Sequence, residues 1–202
     1  MSLFTSTRER RLWLLALGTL ILIYSTLGLA RTAVEVLRDN NLLRLSVALV
    51  MVASAAVVMW RIGRQRPGRR EVAVVALAGA VYLAALVVME RAEERLHLLE
   101  YGLVAAFVFW ALEERRANGA FGGRSWLWAI LATAAAGWLD EGIQHILPSR
   151  YYDLKDVGLN AGGAILAVLT IEARAWARRR DRRAGKGVPA IEPPGEPPLS
   201  RG

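Results

Sequence analysis

The chain has 202 residues, about one domain's length, and 54% of them are hydrophobic, more than an ordinary soluble domain carries. It has no cysteine, which excludes a disulfide framework and a thiolate metal site. The formal charge is +8, but the arginines stand in short clusters between long apolar runs. That is how membrane-topology signals are arranged, and it argues against a nucleic-acid partner.

A helix that crosses the hydrocarbon core needs about 20 residues. The first candidate, residues 12–30, follows Arg8, Arg10 and Arg11. Its apolar run is longer than that of a secretory signal, so it is expected to be a retained span. The second covers residues 45–60 and the third 72–89. The fourth runs from near His97 to near Leu112, the fifth starts at Ser125, and the sixth starts near Asp156. The fold class expected is an all-α, polytopic membrane bundle of six helices. With six spans, the first arginines, the loops 61–71 and 113–125 and the arginine-rich stretch after Arg174 share one face. The positive-inside rule then puts both termini in the cytoplasm and the protein in the cytoplasmic (inner) membrane. Residues 1–11 form a basic cytoplasmic N-terminus, and 176–202 a basic then Pro/Gly-rich tail, expected to be disordered after Arg183. The arginines before the tail are expected to lie against anionic headgroups.

Two of the runs are incomplete as apolar spans. The stretch from Trp126 to Leu139 is too short to cross alone, so its helix should continue through Asp140, Glu141, Gln144 and His145 toward Pro148. The sixth becomes apolar only after Asn160, so Asp156 and Asn160 fill its first turns. The fourth carries His97 and Glu100 at its own start. All three helix ends point to the same side. Residues three or four apart share a helix face, which groups His97 with Glu100, Glu141 with Gln144 and His145, and Asp156 with Asn160 and Gly163. The expectation is a shallow polar pocket at the outer side, with Arg150 of the connecting loop as partner to the acids. Gly158 and Gly162, spaced G-x-x-x-G, are expected at a close helix contact.

The run D-E-G-I-Q-H-I-L-P-S-R-Y-Y-D-L-K-D-V-G-L-N-A-G-G, from Asp140 to Gly163, resembles the VanZ-like membrane proteins. Their pattern is an acidic residue, then Gln, Pro, Arg and Asp, then a second Asp, Asn and Gly. The segment RLHLLEYGLVA (95–105) is similar to that family's helix bearing His, Glu and Tyr. The resemblance covers most of residues 12–172 and implies a VanZ-like transmembrane domain over 12–175. It carries the family's polar positions onto Glu141, Gln144, Pro148, Arg150, Asp153, Asp156, Asn160 and Gly163. The family's namesake is associated with reduced susceptibility to teicoplanin, a glycopeptide with a lipid chain, so the resemblance implies a teicoplanin-resistance-type role.

Several chemistries stay open. A binding site would use His97, Glu100, Tyr101, Asp140, Glu141, Gln144, Arg150, Asp153, Asp156 and Asn160 to hold a polar headgroup. Its partners would be membrane lipids, lipid-linked envelope precursors or a lipidated glycopeptide. An enzyme acting on a lipid headgroup would use Asp140 and Glu141, the catalytic candidates, as acid and base. A metal could use His97 with Glu100 and Glu141 with His145, but Arg150 opposes a cation, and neither a metal nor a cofactor is expected. Transport would need polar residues along the inner halves of the spans, which the sequence does not supply. A hydrogen-bonded clamp between helices is the structural alternative.

Overall fold

The computed structural model describes residues 3–40, 42–89, 92–146 and 154–186. Among the described residues there are six helices and no strand: α1 (Thr7–Asp39), α2 (Leu43–Gly63), α3 (Arg69–Val88), α4 (Ala92–Ala117), α5 (Ser125–Ile146) and α6 (Leu154–Lys186). Each expected run falls on its own helix. α5 does continue past its apolar part, carrying Asp140, Glu141, Gln144 and His145 in its last turns. α4 begins a turn before His97. α6 stays helical to Lys186, beyond Arg183 where the tail was expected to begin; alanine and arginine are both strong helix formers. Residues 187–202 of the expected tail lie outside the described residues.

Four helical stretches among the described residues are long and apolar enough to cross a membrane: Leu45–Gly63, Arg69–Val88, Glu94–Ala117 and Leu154–Ala184. In the α2 and α3 stretches only 11% and 6% of the apolar window is buried inside the protein. Leu49, Val52, Leu77, Leu83 and Val87 point outward. Apolar surface of that extent is suited to lipid and not to water.

α4 and α6 form the centre of the bundle and run in the same direction, since Glu94 pairs with Lys155 at their starts. α1 packs on α4, α5 on both central helices, α3 on α6, and α2 lightly on α4 and α1. The buried stripe of α4 is Tyr101, Val104, Ala105, Val108, Phe109 and Leu112, three or four residues apart as a helix face requires. Ala164 and Val168 of α6, Ala129 of α5 and Ala16 and Ile23 of α1 close around it.

One end of the bundle is basic and is fastened by buried acids. Glu9 of α1 is fully buried; it accepts hydrogen bonds from Thr5 N (2.7 Å), Thr5 Oγ1 (2.6 Å) and Arg115 Nη1 (2.8 Å). Burial pushes its carboxyl pKa up, but the bonds from Thr5 and Arg115 outweigh this and hold it below the usual range. At the start of α3, Glu71 accepts from Arg174 Nε (2.6 Å) and Arg178 Nη2 (2.9 Å) of α6. Asp181 of α6 caps α3 from outside by accepting from Arg70 N (3.2 Å) and Glu71 N (3.4 Å). A Cβ at Gly68, the residue before α3, would collide with that carboxylate. Arg174 and Arg178 are thus engaged within the protein, while Arg179, Arg180, Arg182 and Arg183, just before the expected tail, are exposed. Buried carboxylates at this depth need fixed cationic partners.

Candidate functional site

The opposite end carries the polar cluster, assembled from the last turns of α5 and the first turns of α4 and α6. Asp140, Glu141 and Gln144 are buried together on α5. Their spacing lets one amide serve both acids: Gln144 Nε2 donates to Asp140 Oδ2 (3.2 Å) and to Glu141 Oε1 (3.3 Å). From α6, fully buried Asn160 donates through Nδ2 to the Gly137 carbonyl (3.4 Å). Gly137 is small because Asn160 stands against it; a Cβ there would come within 2.6 Å of Asn160 Cβ. From α4, Tyr101 is fully buried, with its hydroxyl beside the Asp140 carboxylate.

Asp140 is the electrostatic hub, close enough to Glu100, Tyr101 and Tyr24 to act on each. His97 Nδ1 stands 3.8 Å from Glu100 Oε2, beyond hydrogen-bond length, and the His97 and Tyr101 rings are 6.3 Å apart. Two buried atoms of this group, His97 Nδ1 and Asn160 Oδ1, have no hydrogen-bond partner. Each buried orphan of this kind costs about 1–3 kcal/mol, so two in one place call for a reason.

The structure therefore brings together His97, Glu100, Tyr101, Asp140, Glu141, Gln144 and Asn160 from among the expected site residues. Asp156 sits partly buried in the first turn of α6. Arg150 and Asp153, with Pro148, lie outside the described residues. His145, in the last turn of α5, is exposed. The G-x-x-x-G expectation is corrected: a Cβ on Gly158 or Gly162 would meet nothing within 4 Å. The close contact falls one position later, at Gly163, where a Cβ would stand 2.6 Å from the Leu98 carbonyl of α4. The spacing marks small residues, but the crossing geometry of α4 and α6 selects which of them is needed.

Two features escape a reading of the sequence alone. Tyr24 of α1 donates its hydroxyl to the Ala136 carbonyl (2.8 Å), tying a fourth helix to the cluster. Its only sequence signal was a lone phenol in an aliphatic run. Lys155 Nζ donates to Glu94 Oε1 (2.7 Å) beside the cluster, a pairing between distant segments that no local spacing reveals. Among the described residues, no group of three or more His, Asp or Glu is arranged to hold a metal ion. Comparison of the chain with protein-family models, with curated proteins and with solved structures finds no match in any of the three.

Proposed function

We propose that this is a VanZ-like protein of the cytoplasmic membrane, with six spans and both termini inside, and that its polar cluster recognises a headgroup. The ligand is a lipid-linked cell-envelope molecule or a lipidated glycopeptide, as in a teicoplanin-resistance-type role. The topology is supported by the arginine-rich end, which gathers the start of α1, the α2–α3 and α4–α5 loops and the arginines of α6. α5 has 22 residues, hence a length of about 33 Å against a hydrocarbon core of about 30 Å. It can span only if Asp140, Glu141 and Gln144 lie within the outer part of the bilayer.

The observation that carries the reading is the set of buried acids and amides from three helices that leaves His97 Nδ1 and Asn160 Oδ1 without hydrogen-bond partners. A clamp that served packing alone would gain by satisfying them, whereas a ligand site keeps them for the ligand. Ionisable groups inside a membrane are functional by default. In this reading Arg150, in the segment joining α5 to α6, meets a phosphate or carboxylate, and the acids and Asn160 meet sugar hydroxyls or amines. The test is thermal unfolding of the purified protein in detergent with a sugar-bearing polyprenyl diphosphate, with teicoplanin, and with the bare polyprenol. A headgroup-dependent rise in Tm that Arg150→Ala abolishes is expected. No rise with either headgroup contradicts the reading.

One observation favours a second reading, acid–base chemistry on the headgroup: Asp140 and Glu141 share a single amide nitrogen and so stand side by side. An enzyme would lose turnover of the bound lipid in Glu141→Gln while keeping its abundance and Tm. A structural clamp would lose abundance instead.

A further inference from the structure

We infer that the outward face of α6 at its basic end holds an anionic phospholipid of the phosphatidylglycerol type. The inference rests on the proposed membrane span of α6 but not on the polar cluster or its ligand. α6 has 33 residues, hence a length of about 50 Å against a hydrocarbon core of about 30 Å. Counted from Asp156 in its first turn, about 20 residues of helix reach Trp176. Trp176 is 49% exposed, at the depth where interfacial tryptophans sit. Beyond it α6 has two faces. Arg174, Arg178 and Asp181 turn inward to Glu71, Gln65 and the start of α3. The opposite face carries Trp176, Arg179, Arg180 and Arg183, three or four residues apart and all exposed. Toward the membrane the same face continues as exposed Leu169 and Ile165. From bilayer to water it runs aliphatic, indole, guanidinium, which is the order of an acyl chain, a glycerol ester and a phosphate.

The arginines on this face are placed for a phosphate. Arg180 lies over the Trp176 ring, 5.0 Å from its centroid. That stack engages the flat of the guanidinium and leaves its N–H edge for a bidentate contact. Arg64 repeats the arrangement over exposed Trp60 at the end of α2, 4.1 Å from the centroid. Among the described residues, the side chains of Arg179, Arg180 and Arg183 make no ion pair or hydrogen bond. The acid on this face, Glu172, lies about 12 Å along the axis from Arg180, too far to neutralise it. A lipid with net negative charge therefore meets an uncompensated positive face. A choline lipid offers the same phosphate but adds a cation that the arginines repel.

The full chain is placed in nanodiscs of equal phosphatidylglycerol and phosphatidylcholine with matched acyl chains, and retained lipid is read by native mass spectrometry. Phosphatidylglycerol is expected to exceed phosphatidylcholine by about tenfold. Arg180→Gln combined with Arg183→Gln should remove most of that preference. Arg10→Gln combined with Arg11→Gln, an equal loss of charge from exposed positions on α1, should change it by no more than about twofold. Arg180→Lys, which keeps the charge but not the planar fork, should weaken it. All these side chains are exposed, so each variant should keep the parent's Tm. Equal retention of the two lipids by the parent protein overturns the proposal. So does an equal fall in the two double variants, which would make net charge alone the cause. A chain that fails to enter the nanodisc sinks the membrane placement and this inference together. One that enters and shows no preference sinks this inference alone. A preserved preference in a protein with no headgroup-dependent Tm rise sinks the earlier reading of the cluster and leaves this one standing.

Discussion

Gly163 sits where α6 comes closest to α4. The obstacle to a side chain there is the Leu98 backbone carbonyl, which cannot swing aside as a side chain could. Gly163→Ala is expected to destabilise the protein by about 1–3 kcal/mol, read as a lower Tm in detergent. Gly158→Ala and Gly162→Ala have open space and should leave Tm unchanged or slightly raised, alanine being the better helix former. Small residues on α6 could be read from the sequence. The one that matters could not, because it is chosen by a helix that lies far away in the chain. Glu9 makes a second point about single side chains. Its folded-state pKa lies below the ordinary glutamate value, so its contribution to stability is complete above that value, about 4.3. The contribution is lost as pH falls from there through the lower folded value. Glu9→Gln should therefore unfold at lower temperature than the parent at neutral pH, and the gap should narrow below about pH 4. A gap that stays constant through acid would show that the Glu9 charge is not what Thr5 and Arg115 hold.

α3 shows how an apolar helix is positioned by its polar end. Its lipid-like surface gives little register, and its main neighbour is α6. Orientation comes from Glu71 between Arg174 and Arg178, and from Asp181 at its first turn. Removing Glu71 leaves two arginines facing each other without a counter-charge. Glu71→Ala is expected to cost about 3 kcal/mol or more, visible as lower abundance and easier proteolysis between α2 and α3. A neutral outcome would mean that α3 docks through apolar contact alone. The existence of the six helices was readable from apolar runs and arginine punctuation. The extension of α5 followed from arithmetic: fourteen apolar residues, Trp126 to Leu139, are too few to cross. The use of arginines as internal clamps was not readable, because a topology signal and an ion-pair partner are the same residue type in the same place, and only the position of a buried acid separates them.

The bundle as a whole is polarised. One end is closed by satisfied ion pairs around Glu9 and Glu71; the other gathers buried acids and amides, with His97 Nδ1 and Asn160 Oδ1 left without hydrogen-bond partners. Much of that second group was readable, since His97, Glu100, Asp140, Glu141, Gln144 and Asn160 fall at helix ends that alternation brings to one side. Its sealed character was not, because it depends on how tightly α4, α5 and α6 approach. The central claim is that these side chains converge beneath the outer membrane boundary to receive a ligand. Because the chain has no cysteine, it can be tested with single cysteines at positions 100, 141 and 160, each reacted in intact cells with a membrane-impermeant maleimide. All three should react from the outside only, far more slowly than a cysteine at exposed Leu42, and more slowly still with the recognised headgroup added. Reaction from the cytoplasmic side at any of the three, or a rate equal to that at position 42 and indifferent to headgroup, would contradict the account.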